Sequence, residues 1–152
     1  MKTFVYIDHF KGDVQPASWE ALGLAKSFGT AVALVFGAGV DEVAKAAVEF
    51  GADEVLVADD AALADYRAET YASTLSALAS SQSPNLILFP TTSRTRELAA
   101  MAAVDLNTGV LTDISGLEVN DGALIATRPI YEGKVLEKTI CSGKPVMATI
   151  RG

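Results

Sequence analysis

Apolar residues along the chain fall into short uninterrupted runs, separated by longer stretches of helical spacing. Residues 3–7 (TFVYI), 31–36 (AVALVF), 54–58 (EVLVA) and 86–89 (LILF) lack the in-out alternation of a half-exposed strand. The first, second and fourth read as strands buried on both faces, and 54–58 as a further strand. Between the first two, a helix opens at Pro16 and runs to about Phe28 with Trp19, Leu22 and Lys26 along it; Gly29 stops it. Gly37, Ala38 and Gly39 turn the chain into a second helix from Asp41 to about Phe50, closed by Gly51. A longer, alanine-rich helix is expected from about Asp65 to Ser81, with Tyr66, Tyr71, Leu75 and Leu78 spaced along it. Strands alternating with helices predict an α/β fold with a Rossmann-like, doubly wound parallel sheet.

The stretch 86–113 organises the rest. Pro90 ends the strand, and Thr91, Thr92 and Ser93 supply cap hydroxyls before a charged first turn from Arg94 to Glu97. Leu98, Met101, Ala102 and Leu106 recur at helical spacing, and Asn107 and Gly109 close the helix before an apolar strand from Val110. The pattern predicts one right-handed βαβ unit with its loop at the carboxyl end of a central strand, where ligands and partners sit in open α/β sheets.

After Asp113 the rhythm changes. Residues 117–119, 123–129, 135–140 and 146–150 are β-like runs with no helix pattern between them. Asn120-Asp121-Gly122 is a hairpin signal. A single domain over 1–152 is expected, with a parallel α/β part over 1–113 and a C-terminal antiparallel β-meander over 114–152.

The formal charge of −7 is unevenly placed. Acids crowd the stretch from Asp41 to Glu69, where Lys45 and Arg67 are the bases. Such a chain repels a phosphate backbone, so no nucleic-acid partner is expected. No apolar run approaches the roughly 20 residues of a membrane span. Met1 leads almost directly into the first strand, so a cytoplasmic location without membrane insertion is expected. Cys141 is the one cysteine and His9 the one histidine, which disfavours an internal disulfide and a metal site.

The third glycine of a dinucleotide G-x-G-x-x-G starting at Gly37 would fall at Glu42, and a carboxylate there opposes a pyrophosphate. Two constellations remain. Thr91, Thr92, Ser93, Arg94 and Arg96 place hydroxyls and cations at a helix N-terminus, a recipe for an anion or nucleotide; the alternative is a capped helix with arginines toward solvent or a partner. Arg128-Pro129-Ile130-Tyr131 puts a cation and an aromatic at a strand end, as interface anchors do. Neither contains a nucleophile–base pair, so no catalytic residue is assigned.

The chain as a whole resembles the N-terminal domain of the α subunit of electron transfer flavoprotein. The resemblance is carried by Asp8-His9 with Gly12, Pro16 and Glu20; by residues 51–60 (GADEVLVADD) with Tyr66 and Glu69-Thr70-Tyr71-Ala72; and by Arg96-Glu97-Leu98. It continues through Leu106-Asn107-Thr108-Gly109, Asp113, Arg128-Pro129 with Tyr131 and Gly133, and the closing residues 147–151 (MATIR). Two positions depart from the family's pattern. Thr95 stands where a glycine precedes the Arg-acid-Leu, and Ala100-Met101 stand where a Pro-Arg pair follows it.

The resemblance implies an adenine nucleotide α-hydrolase-like fold used as a non-catalytic scaffold. The parent is a heterodimeric FAD electron carrier, running from dehydrogenases to the respiratory chain through a quinone oxidoreductase, as in fatty acid β-oxidation. It implies an electron transfer flavoprotein β subunit as partner, with Asp113, Arg128 and Tyr131 as interface residues. It places FAD in a second domain of the parent subunit, outside these residues, and allows AMP in the partner subunit. The rival from another class is a stand-alone adenine-nucleotide-binding module using Thr91 to Thr95.

Overall fold

A computed structural model describes residues 1–152. The buried runs form β1 (Lys2–Tyr6), β4 (Thr30–Gly37) and β6 (Leu86–Pro90), and residues 54–59 form the half-exposed edge strand β5 (Glu54–Asp59). The helices are α1 (Pro16–Lys26), α2 (Asp41–Glu49), α3 (Ala68–Gln82) and α4 (Ser93–Asp105). The parallel sheet is completed by β7 (Val110–Ile114) and β11 (Val146–Ile150), in the order β5-β4-β1-β6-β11-β7. Three shorter-range strands, β8 (Gly116–Asn120), β9 (Ala123–Ile130) and β10 (Val135–Ile140), make a separate antiparallel sheet in the order β10-β9-β8.

Period-two side-chain geometry divides the core in two. Val5, Ile7, Ala33, Val35, Leu86 and Leu88 point toward α1 and α2. Phe4, Tyr6, Leu34, Phe36, Ile87 and Phe89 point toward α3 and α4. The chain passes from β1 to β4 to β5, then returns across β1 to β6. That reversal puts α3 and α4 on the face opposite α1 and α2, because crossovers keep one hand. The antiparallel sheet packs on the α1/α2 side through Leu117 and Ala126, both in the same apolar cluster as Ala21 and Leu86.

Four differences from the pattern-based expectation have physical causes. Residues 146–150, grouped with the antiparallel meander, form β11 inside the parallel sheet, between β6 and β7. Val146, Met147, Ala148 and Thr149 are all buried, as a central strand requires. Because β10 belongs to the other sheet, a short loop suffices before β11, so no helix marks the return. In consequence β6 and β7 are not neighbours: the βαβ unit spans the place that β11 fills.

The third helix begins at Ala68 rather than near Asp65. Asp60 caps a single 3-10 turn over Ala61–Leu63, accepting the Ala62 N–H at 2.8 Å, which detains the chain before α3. The expected loop after β1 contains a minimal hairpin of β2 (His9–Phe10) and β3 (Asp13–Val14). Its turn residues Lys11 and Gly12 both have positive φ, 48° and 92°, as a two-residue hairpin turn demands.

Candidate functional site

At the carboxyl edge of the sheet, the reversal between β1 and β6 opens the crevice where doubly wound folds place ligands. Asp8 leaves β1 and Arg94 stands in the first turn of α4, so two residues 86 positions apart meet there. Arg94 Nε donates to Asp8 Oδ1 and Nη2 to Oδ2, both at 3.2 Å. The carboxylate is 1% exposed, and the guanidinium is partly open to solvent. The Asp8 backbone is fixed as well: its N–H donates to Ser18 Oγ at 2.9 Å, and its carbonyl accepts the Gln15 N–H at 2.9 Å.

His9 is held from both sides. Nε2 donates to the Phe36 carbonyl at 2.6 Å, and Gly12 N–H donates to Nδ1 at 3.1 Å. A carbonyl only accepts and an N–H only donates, so this arrangement defines the neutral tautomer with its proton on Nε2. The Phe36–Gly37 turn is tight around the ring: Gly37 has φ of 153°, and a Cβ there would lie 2.7 Å from Val40 Cγ1 and 3.2 Å from His9 Cε1.

Aromatic side chains run from the core to this edge. Tyr6 meets Phe36 and Phe89 at 5.7 and 5.9 Å between ring centres, Phe36 meets Tyr71 at 5.9 Å, and Tyr71 meets Tyr66 at 5.0 Å. Tyr71 donates to the Leu63 carbonyl at 2.6 Å. The Tyr66 hydroxyl lies 3.1 Å from the Arg94 carbonyl and 3.3 Å from Glu97 Oε1. Burial raises the pKa of all three tyrosines; the Asp8 carboxylate raises Tyr6 further, and Glu97 raises Tyr66 further. Tyr66 and Tyr71 stand as neutral donors.

The hydroxyls singled out by sequence serve the helix. Thr92 Oγ1 accepts the Thr95 N–H at 3.2 Å and Thr95 Oγ1 accepts the Thr92 N–H at 2.9 Å, a reciprocal capping box. Thr95 also donates to the Pro90 carbonyl at 2.5 Å and is fully buried, which gives the threonine found in place of glycine a structural role. Thr91 Oγ1 is buried without a partner, while Ser93 and Arg96 are exposed.

The other three candidates lie elsewhere. Asp113, with φ of 58°, is the last but one residue of β7: its N–H donates to Thr149 Oγ1 at 2.7 Å and its carboxylate pairs with Arg151 at 3.1 Å. Arg128 pairs across the β9–β10 ladder with Glu137 at 2.9 Å. Tyr131 is 74% exposed in the β9–β10 turn, with φ of 52°. Thus Arg94 joins Asp8 at the crevice, whereas Arg128 and Tyr131 share the hairpin and Asp113 sits at the end of the large sheet. Sequence marked Asp8 as a loop residue but gave no sign of its partner, because nothing local encodes a contact across 86 positions.

The antiparallel sheet has two unlike faces. Leu117 and Ala126 point inward and are buried. On the outward face, register places Ile140 against Ile125 and Leu136 against Pro129, and Lys138 reaches Glu118 at 3.7 Å. Ile140 is 70% and Leu136 62% exposed. This is an apolar stripe with one surface ion pair, rimmed by Tyr131. Two clefts of about 700 and 510 Å³ flank the Cys141–Lys144 loop at the opposite edge of the main sheet. Burial raises the Cys141 thiol pKa, which leaves it a weak nucleophile.

This architecture has a family counterpart. The profile of the electron transfer flavoprotein domain matches residues 3–152. The chain belongs to the electron transfer flavoprotein family. It is similar to an electron transfer flavoprotein subunit alpha of Syntrophomonas wolfei, 37% identical over 150 residues, covering 98% of this chain and 47% of that protein. A subunit alpha of Bacillus subtilis is 29% identical over 143 residues, covering 92% of this chain and 44% of that protein. Protein FixB of Bradyrhizobium diazoefficiens is 34% identical over 158 residues, covering 97% and 43%. The chain spans less than half the length of these relatives. No helix in it is long and apolar enough to cross a membrane.

Proposed function

We propose that this chain is the N-terminal scaffold of an electron transfer flavoprotein α subunit, and that the outward face of its antiparallel sheet docks the β subunit. The observation that carries this is the exposed stripe of Leu136 and Ile140 on a family member. A sheet face with apolar residues this open has the character of an interface core, and Tyr131 at its rim that of an anchor. Arg128 acts from the inner face by holding Glu137 and bracing the hairpin, and Asp113 braces the end of β7 through Arg151.

Redox chemistry belongs to a flavin held outside these residues. A pyrophosphate needs free N–H donors or cations. At the crevice Arg94 is taken by Asp8, Gly39 N–H by Asp59 at 3.0 Å and Gly12 N–H by His9, which leaves the exposed Lys11 as the one lining cation outside an ion pair. Asp41 and Glu42 occupy the first turn of α2, which opposes an anion there. At Thr91 to Thr95 the hydroxyls and N–H groups of Thr92 and Thr95 are taken up by the capping box, which weighs against a nucleotide module there. In the whole carrier, proteins deliver electrons to the flavin and the protein groups around it tune it; this chain supplies the rigid support in the cytoplasm. Sedimentation equilibrium of the chain with its cognate β subunit tests the reading: a one-to-one complex is expected, and two non-interacting species would overturn it.

A further inference from the structure

A strand at the edge of a sheet carries a row of main-chain N–H and C=O groups that no neighbour takes. β10 is such a strand, since in the order β10-β9-β8 nothing pairs beyond it. The ladder shows which of its groups are open. Cys141, one step past the strand in the same register, donates its N–H to the Leu124 carbonyl at 2.9 Å, so the odd-numbered residues of β10 bond to β9. The main-chain groups of Leu136, Lys138 and Ile140 therefore point away from β9, in the plane of the sheet. The side chains of the same three residues lie on the outward face, where Leu136 and Ile140 form the exposed stripe. Free donors and open apolar side chains coincide on one strand.

The other edges are blunted. Asp53 and Glu54 open β5 and Asp59 and Asp60 close it, so carboxylates stand at both of its ends. β7 shifts register against β11 between Ala148 and Ile150, and Asp113 within it has a positive φ. β8 exposes one large apolar side chain, Val119, whereas β10 exposes Val135, Leu136 and Ile140. β10 keeps an unbroken register with β9 over residues 135–140 and contains no proline. An edge of this kind is a template for a further strand.

We propose that a strand of the β subunit pairs with β10 and extends the antiparallel sheet to four strands. This rests on the docking proposed above and adds the main chain of β10 to it. Three strands about 4.8 Å apart, with six residues in β10 at about 3.4 Å each, offer roughly 300 Å² of face. A stable interface takes roughly 800 Å² from each partner, so the stripe alone is too small and the contact must continue past its edge. A second copy of this chain is a poorer occupant. In the two antiparallel self-pairings of greatest overlap, Lys138 meets Lys138 or Glu137 meets Glu137, and like charges directly opposite repel. The added strand accordingly sets apolar residues opposite Leu136 and Ile140 and an acid opposite Lys138.

The experiment is amide hydrogen exchange by NMR on the isotope-labelled chain, alone and with the unlabelled cognate β subunit, with sedimentation reporting the complex. In the free chain the Leu136, Lys138 and Ile140 amides are expected to exchange fast and those of Glu137 and Thr139 slowly. In the complex the first three are expected to slow by at least about tenfold. Lys138→Pro set beside Lys138→Ala isolates the N–H: both lose the charge and the pair with Glu118, and proline alone loses the donor, at an edge position that tolerates it. Lys138→Pro is expected to bind the β subunit about tenfold more weakly than Lys138→Ala, with thermal melts checking that both fold. A one-to-one complex in which the three amides keep their free rates, or in which the two variants bind alike, would overturn strand pairing and leave the docking of the face standing. No complex at all would overturn the docking and the pairing with it. Protection of the three amides in the chain alone, growing with its concentration, would give the edge to a second copy and overturn the proposal.

Discussion

Arg94 closes on Asp8 with two parallel contacts of 3.2 Å, tying the end of β1 to the start of α4 across the middle of the sheet. The carboxylate is almost wholly buried, so removing the cation strands a charge. Arg94→Met is expected to destabilise the chain by about 3 kcal/mol. Adding Asp8→Asn to that variant should recover part of the loss, because the uncompensated charge goes too. Urea unfolding of the two single variants and the double variant measures the coupling; strict additivity would contradict it.

Gly37→Ala acts on the neighbouring turn. A methyl group there meets Val40 Cγ1 and the His9 ring at a φ that side chains rarely adopt. A loss of about 2 kcal/mol is expected, together with displaced imidazole resonances of His9 in the NMR spectrum. Wild-type stability and an unmoved His9 would show that the turn is loose.

Asp53 carries a pH signature. Lys26 Nζ, at 2.8 Å, and the Ala31 N–H, at 2.9 Å, hold its carboxyl below the ordinary aspartate value. A depressed folded-state pKa gives stability that is fully present above the unfolded value, about 3.9, and is lost as pH falls through the folded value. The wild type should therefore exceed Asp53→Asn in stability at neutral pH, with the gap closing as pH falls below about 4. Urea midpoints of both proteins across that window check the sign; a gap that widens in acid would refute it.

The isolated chain should be colourless after purification and dialysis, without flavin absorbance, since Arg94 and the Gly39 and Gly12 N–H groups at the crevice are engaged within the chain. Adding excess FAD and removing it by gel filtration should leave the protein unlabelled. A retained yellow cofactor at one per chain would place the redox centre here.

The buried strands were legible because parallel-sheet strands must be apolar on both faces, and 3–7, 31–36 and 86–89 carry that signature without interruption. The cap at Thr92 was legible too, since its hydroxyl sits one residue before a helical pattern; its partner Thr95 was harder, because threonine is not the usual residue at the third helical position. The position of β11 was available in principle: VMAT is as continuously apolar or buried as LILF, but the absence of a preceding helix outweighed it. The Asp8–Arg94 pair and the outward turn of Leu136 and Ile140 depend on tertiary placement. Alternation in β10 shows that two faces differ; it does not show which one the core takes.

The docking claim meets its most direct test in binding of the cognate β subunit by Ile140→Asp and Leu136→Asp, set beside Val104→Asp. Val104 is an apolar residue 80% exposed on α4, across the parallel sheet from the antiparallel one. A carboxylate on the stripe should abolish the complex while each variant keeps the wild-type melting temperature within a few degrees, and the change at Val104 should leave the complex intact. Full binding by both stripe variants, or equal loss in all three, would contradict the assignment of that face.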